Sequence, residues 1–257
     1  AFIALHVPLT SSLSELALRD GFAHAFSFVP RVDLRHGLGE SFPIDAPSYY
    51  PTVHFQGFYQ DHPQPALRRR FVAEFLIAHL SNGEEGCLYR DQGRPDGTRC
   101  QFEDGEKRVA APLNHRTGSF AMNEVGLKLG LDYAWAKQRE LTLMLGWVVF
   151  RPRAGELEPK TQRVYGWGRF EAQLRVAREL YVERTARSQL GARFRFEARH
   201  GGSHVQNPAS IRIDGFWRFD VLRDWGPFVR LHHGGDYLNV RFDARSTIVG
   251  LGMMWEP

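Results

Sequence analysis

No stretch of this 257-residue chain approaches the ~20 consecutive apolar residues that a membrane-spanning helix needs. The longest apolar run is Leu141 to Phe150, and Thr142 and Gly146 interrupt it. Cysteine is scarce. Cys87 and Cys100 lie in a polar, glycine-rich stretch, and two thiols alone make a poor metal site. In an oxidising compartment they would close one loop, worth roughly 3 kcal/mol on chain-entropy grounds. Charge of one sign is not concentrated either. The net charge is +4, but the arginines form no single stripe, and no recognition helix or aromatic stacking platform accompanies them. Nucleic acid is therefore not the expected partner; acidic lipid headgroups would use the same charge. No signal peptide precedes Ala1-Phe2-Ile3-Ala4-Leu5, so a mature or truncated form is expected.

Bulk composition, with a mean hydropathy of −0.37, reads as soluble. A membrane β-barrel reads the same way, because it is apolar only at alternate positions. That alternation is present here. From Asn123 one face carries Val125, Leu127, Leu129, Leu131, Tyr133 and Trp135, and the other carries Glu124, Gly126, Lys128, Gly130, Asp132 and Ala134. Phe170, Ala172, Leu174 and Val176 oppose Arg169, Glu171, Gln173 and Arg175. Ala192, Phe194, Phe196 and Ala198 oppose Arg193, Arg195, Glu197 and Arg199. Ile211, Ile213, Trp217 and Phe219 oppose Arg212, Asp214 and Arg218. The strands are longer than the ~5–6 residues usual in soluble sandwiches and suit a tilted membrane strand of ~9–11 residues.

The expected fold is all-β: one transmembrane antiparallel barrel over residues 1–257, with Arg169, Arg175, Arg193, Arg195 and Arg212 inside. Eleven strands are readable, at 1–9, 22–35, 50–60, 67–81, 119–136, 138–151, 163–176, 178–199, 208–222, 226–234 and 246–255. Such barrels have even strand counts, so about twelve are expected: either one strand is unread or the chain begins one strand late, and the abrupt start at Ala1 favours the second. Short turns at 136–138, 176–178 and 222–226 alternate with longer connections, the longest an outer loop at about 83–118. The long connections mark the outer side.

The chemistry concentrates where strand 67–81 ends. His79 and Ser81 share the face of Phe71, Ala73, Phe75 and Ile77, so a base and a hydroxyl stand two residues apart on an apolar surface. That pair is the minimum for acyl transfer. Asn123 opens the next strand on its apolar face. In an antiparallel pair it should stand beside His79 and hold the imidazole in the useful tautomer without placing a carboxylate in hydrocarbon. Each residue alone has an ordinary reading: His79 as a rim residue, Ser81 and Asn82-Gly83 as turn formers, Asn123 as a strand cap. The joint arrangement points to catalysis. His232-His233-Gly234-Gly235-Asp236 suggests a metal site, but adjacent histidines on a strand point to opposite faces.

His79-Leu80-Ser81-Asn82-Gly83 resembles the His-x-Ser-Asn-Gly signature of the outer membrane phospholipase A family. Ser41-Phe42-Pro43 through Ser48-Tyr49-Tyr50-Pro51, Ser119-Phe120-Ala121-Met122-Asn123 and Thr247-Ile248-Val249-Gly250-Leu251-Gly252-Met253-Met254 are similar to further segments of that family, in the same order. The resemblance implies a twelve-stranded barrel in the bacterial outer membrane that hydrolyses phospholipid acyl esters, depends on calcium and acts as a dimer. It also implies site roles. Ser81, His79 and Asn123 would be catalytic. The Gly83 amide would serve the oxyanion. Ser41, Ser119 and the Glu84 carbonyl would be Ca²⁺ ligands, oxygen donors that suit a hard cation. The chain departs from the family in its longer loop, which holds both cysteines, and in Glu84, which replaces a basic residue. Phe28-Val29-Pro30 stands where the family has Tyr-Thr-Gln, whose glutamine joins the homodimer. A non-enzymatic barrel, a pore or a partner-binding component, is the alternative; a wide, water-filled lumen would favour it.

Overall fold

The computed structural model describes residues 2–4, 7–12, 21–36, 44–64, 67–81, 92–93, 101–102, 121–135, 139–151, 166–182, 186–201, 208–219, 225–235 and 245–255. Ser41, Gly83, Glu84, Cys87, Cys100 and Ser119 lie outside them.

Among the described residues all elements are strands: β1 (Phe2–Ala4), β2 (Val7–Ser11), β3 (Gly21–Val29), β4 (Arg31–His36), β5 (Ile44–Tyr49), β6 (Thr52–Gln64), β7 (Leu67–Ser81), β8 (Gln92–Gly93), β9 (Gln101–Phe102), β10 (Ala121–Trp135), β11 (Arg139–Arg151), β12 (Gly168–Val182), β13 (Ala186–His200), β14 (Ala209–Phe219), β15 (Trp225–Gly235) and β16 (Arg245–Trp255). Fourteen form one antiparallel sheet, and β8 and β9 form a separate ribbon within the longest connection. Three pairs of short strands are single interrupted runs. β1 and β2 pair with β4 and β3, and β5 and β6 both pair with β7. The breaks between β3 and β4 and between β5 and β6 fall at Pro30 and at Tyr50-Pro51; proline has no N–H to give the ladder. Eleven continuous runs result, each antiparallel to the next.

Two details differ from the sequence expectation. The turn expected at 176–178 is not there. β12 continues to Val182 and β13 starts at Ala186, with Arg178 paired to Leu190. The expected connection at 36–49 contains β5. A twelfth run is not among the described residues, and no pairing there closes the sheet. The sheet is nonetheless curled into a barrel-like form, because residues from β3, β4 and β15, near opposite ends of the strand order, line one cavity with the middle strands.

Polarity is inverted relative to a water-soluble domain. Leu127 is 54% exposed, Leu129 58%, Trp147 59% and Leu251 80%, whereas Glu124 is fully buried and Gln60 nearly so. Exposed apolar surface this continuous is not a feature of ordinary soluble monomers. Aromatic residues gather at the short-turn rim, where Phe22 packs on Tyr59, Tyr133 on Trp135 and Trp217 on Phe219.

Charges face inward and are paired there. Lys128 on β10 stands in register with Gly146 on β11, and Gly146 with Glu171 on β12. A Cβ at Gly146 would approach Lys128 Cγ to 2.7 Å. The bare glycine therefore lets the lysine stem cross a strand, and Nζ reaches Glu171 at 2.9 Å and Glu74 at 3.6 Å. Gln56 donates to Glu74 at 2.6 Å, and His54 lies 3.4 Å from it. This belt lines two lumenal cavities of about 350 and 400 Å³, both of which contact His54, Lys128, Glu171 and Arg195. Arg169, Arg175 and Arg212, expected inside, make lumenal ion pairs with Glu124, Glu140 and Asp214.

Candidate functional site

The site lies on the outward wall at the long-loop rim, where β7 ends and β10 begins. Strand alternation sorts β7 cleanly. Phe71, Phe75 and Ile77 are exposed, while Glu74, Leu76, Ala78 and Leu80 are buried. His79 and Ser81 continue the outward series and are half-buried. On β10, Met122 and Glu124 are buried, and Asn123 belongs with the exposed Leu127 and Leu129.

Register brings the candidates together. Asn123 is the direct cross-strand partner of His79, and Ala121 that of Ser81. On the other flank Tyr49 pairs with Ser81, and the His79 amide donates to the Pro51 carbonyl at 3.1 Å. His79 Nδ1 lies 2.9 Å from Asn123 Oδ1. A carbonyl oxygen only accepts, so the bond puts the imidazole proton on Nδ1 and leaves Nε2 as the basic nitrogen. Ser81, two residues on along the same face, is separated from His79 by ~6–7 Å of strand rise, within side-chain reach of that nitrogen. The arrangement can polarise a serine hydroxyl.

Below the site the wall is apolar. Val53, Ile77, Val125 and Val149 form one cross-strand row, and Phe55, Phe75, Leu127 and Trp147 the next. The exposed Tyr49 ring stands beside Ser81 at the top.

Behind the site, on the lumenal side, lies a charged anchor that the sequence did not disclose. The fully buried Glu124 accepts from Tyr50 Oη at 2.5 Å and from Arg169 at 2.6 and 2.7 Å. Arg169 also donates to Tyr50 Oη at 3.1 Å and to Glu171 at 2.6 Å. Three strands are thereby tied together one residue from Asn123. The available signal was a lone acidic residue between buried Met122 and Gly126, but not its partners.

The expected calcium ligands Ser41, Glu84 and Ser119 and the expected oxyanion donor Gly83 fall outside the described residues, so their geometry is not part of the site. Among the described residues no group of three or more His, Cys, Asp or Glu side chains could hold a metal. His232 and His233 diverge as alternation requires: His232 is buried and bonds the Gly235 carbonyl at 2.8 Å, and the exposed His233 bonds Thr247 at 2.8 Å. No family model matches the chain, and neither a curated protein nor a solved structure does.

Proposed function

We propose that this chain is an outer-membrane β-barrel that hydrolyses acyl esters of phospholipids, using Ser81 as nucleophile, His79 as general base and Asn123 as the group that orients the imidazole. The observation that carries the reading is the 2.9 Å His79–Asn123 bond on an exposed apolar wall, with Ser81 next along the same face. A water-soluble substrate has no reason to meet its catalyst there. A lipid whose tails lie along Ile77, Phe75, Val125 and Leu127 brings its ester groups to the rim. Membrane embedding is supported by the exposed apolar faces, the aromatic rim and the buried charges, the distribution that a bilayer requires of a barrel.

In the mechanism, Ser81 Oγ attacks the ester carbonyl while His79 Nε2 takes its proton. The imidazolium then protonates the departing glycerol oxygen, leaving an acyl-serine. Water, deprotonated by the same nitrogen, attacks the acyl-serine and releases fatty acid and free Ser81. Asn123 stabilises the imidazolium through the Nδ1–H bond in both halves. The Gly83 amide is the proposed oxyanion donor. Hydroxyl and carbonyl oxygens from Ser41, Ser119 and Glu84 are a donor set that fits Ca²⁺, and such an ion would supply electrostatic stabilisation of the oxyanion. Resemblance to the outer membrane phospholipase A family supports the same assignment. The non-enzymatic alternative is not favoured, because ion-paired and hydrogen-bonded side chains of β6, β7, β10 and β12 project into the lumen where a wide pore needs open water.

The test is fatty-acid release from defined phospholipids in mixed micelles by the purified chain. Release by the parent and none by folded Ser81→Ala is the expected result. Equal rates would refute the proposal.

A further inference from the structure

Trp147 is the largest side chain on the outward wall beside the strands that carry the triad. On β11 it is the direct cross-strand partner of Leu127, and Leu127 is that of Phe75. This row lies below the His79–Asn123 row by ~13 Å of strand rise. The Trp147 ring does not lie across its own row. Its indole N–H donates to His200 Nε2 at 2.7 Å, and the two ring centroids are 5.9 Å apart. His200 ends β13 and pairs with Gly168 on β12, which pairs in turn with Val149 on β11. The imidazole lies over that glycine, because a Cβ there would stand 2.9 Å from Nε2. The indole nitrogen is therefore drawn toward β12 and β13, away from β10.

That direction has consequences for the wall. An exposed tryptophan has several staggered positions open to it. An indole N–H only donates, and on a surface that meets hydrocarbon an unmet donor is costly. His200 supplies the acceptor, so the bond selects the position that turns the ring from the triad's side. Glycine at 168 makes the contact possible, since a side chain there would fill the space that Nε2 occupies. Ile77 and Leu127 stay exposed beneath the triad. On the other flank the Phe55 ring meets that of Phe75 with centroids 6.3 Å apart. The result is an apolar track that starts at the triad and runs down β10 over Val125 and Leu127. The Phe55–Phe75 pair bounds one side and Trp147 the other.

We propose that Trp147 determines acyl-chain specificity at the hydrolytic site, as the side wall of a track for the substrate's fatty acyl chain, and that His200 is the positioning residue that holds the ring there. The inference rests on the esterase reading and deepens it: the preferred substrate is a phospholipid with long acyl chains. A chain whose ester lies between Ser81 and His79 continues down the wall and reaches the Leu127–Trp147 row with its middle carbons. A hexanoyl chain ends short of that row and gains nothing from the indole. The contact lies far from the reacting atoms, so it acts on binding of the chain and not on the chemical step.

The test is initial-rate fatty-acid release by the full chain in mixed micelles, from dipalmitoyl- and dihexanoyl-phosphatidylcholine, with kcat and KM separated. Trp147→Ala should raise KM about fivefold or more for the dipalmitoyl lipid with kcat nearly unchanged, and should leave both constants unchanged for the dihexanoyl lipid. His200→Leu should reproduce that loss, because the released ring swings over Leu127. His200→Gln, whose amide oxygen accepts from the indole, should restore the parent's chain-length preference. Trp217→Ala, a like change on the short-turn rim, should leave the preference as it is. In nitrogen-15-labelled protein the Trp147 indole resonance, assigned by its loss in Trp147→Ala, should move upfield in His200→Leu and stay in place in His200→Gln. Folding of each variant is checked by the heat-dependent gel mobility of barrels. A folded Trp147→Ala with the parent's chain-length preference overturns the proposal, as does a loss equal for both lipids. An indole resonance that His200→Leu leaves in place overturns the role of His200. A parent that releases no fatty acid from either lipid overturns the esterase reading itself, and this proposal with it.

Discussion

Replacing Asn123 by alanine separates catalysis from a chance grouping of polar rim residues. The side chain faces outward and packs no core, so the barrel should fold as before. What is lost is the 2.9 Å bond to His79. With a neutral imidazole such a bond contributes about 1 kcal/mol, and with a charged one about 1.5–3 kcal/mol. Only the excess in the transition state accelerates the reaction. That excess is about 0.5–2 kcal/mol, or roughly 2- to 30-fold in kcat at 1.36 kcal/mol per tenfold. The residual rate survives because an unoriented imidazole still samples the useful tautomer. Ser81→Ala and His79→Ala remove the covalent route itself, and losses above ~1,000-fold are expected. Adding Asn123→Ala to Ser81→Ala should then change nothing, since the members act as a unit. Initial rates of fatty-acid release, with circular dichroism and gel mobility as controls for folding, give all four numbers. A folded Asn123→Ala that is as inactive as Ser81→Ala, or as active as the parent, refutes the orienting role. A Ser81→Ala that hydrolyses at the parent rate refutes the enzyme.

Glu124→Gln should destabilise the barrel by about 3 kcal/mol, the low end for breaking a buried pair, because Arg169 keeps Glu171; guanidinium unfolding in lipid vesicles measures it, and an added Arg169→Met should restore more than half. Leu129→Arg places a cation on the exposed middle of β10 and should cost about 2–4 kcal/mol in the same assay if that face meets the bilayer interior; an unchanged midpoint would count against a lipid-facing wall. Hydrolysis should fall on adding excess chelator and return with Ca²⁺ but not with Mg²⁺, which demands tighter octahedral geometry. Mass mapping of protein from an oxidising compartment should find Cys87 bonded to Cys100; two free thiols would exclude the bridge.

The outward wall was legible because its signal is local. Alternation across 67–81 and 121–135 assigns each side chain a face, and adjacency of consecutive strands then puts Asn123 beside His79 without further information. The turn after β12 was misread for an equally local reason. Arg178 falls on the outward face after Phe170, Leu174 and Val176, so the apolar pattern stops there, yet the ladder does not need it. Arg178 to Val182 still pair with Leu190 to Ala186. Backbone hydrogen bonds carry a strand past its apolar segment, and a turn read from side chains comes early. β5 was missed because Tyr50-Pro51 looks like a start when it is an interruption. The Tyr50–Glu124–Arg169 anchor lay beyond reach altogether. Its members are 74 and 45 residues apart in sequence, and only the curl of the sheet brings them together.

That anchor bears on why a reactive group can be held at a lipid-facing rim. Asn123 and Glu124 are neighbours on opposite faces, and a slip of one residue in β10 would turn the carboxylate to the outer wall and the amide into the lumen. Outward apolar residues alone resist such a slip only through the hydrophobic contrast between faces, and that contrast is weak near the rim, where His79, Ser81 and Asn123 are themselves polar. The lumenal side makes up the difference. Glu124 is fixed by Tyr50 and Arg169, and four residues further along β10 Lys128 is fixed by Glu74 and Glu171 across Gly146. Both clamps tie β10 to β12, through Arg169 and through Glu171, and both fail together if β10 shifts. Polar groups too few to stabilise the outer wall are thus aligned by charges on the inner one. The 2.9 Å bond between His79 and Asn123 is set by interactions that never touch either side chain.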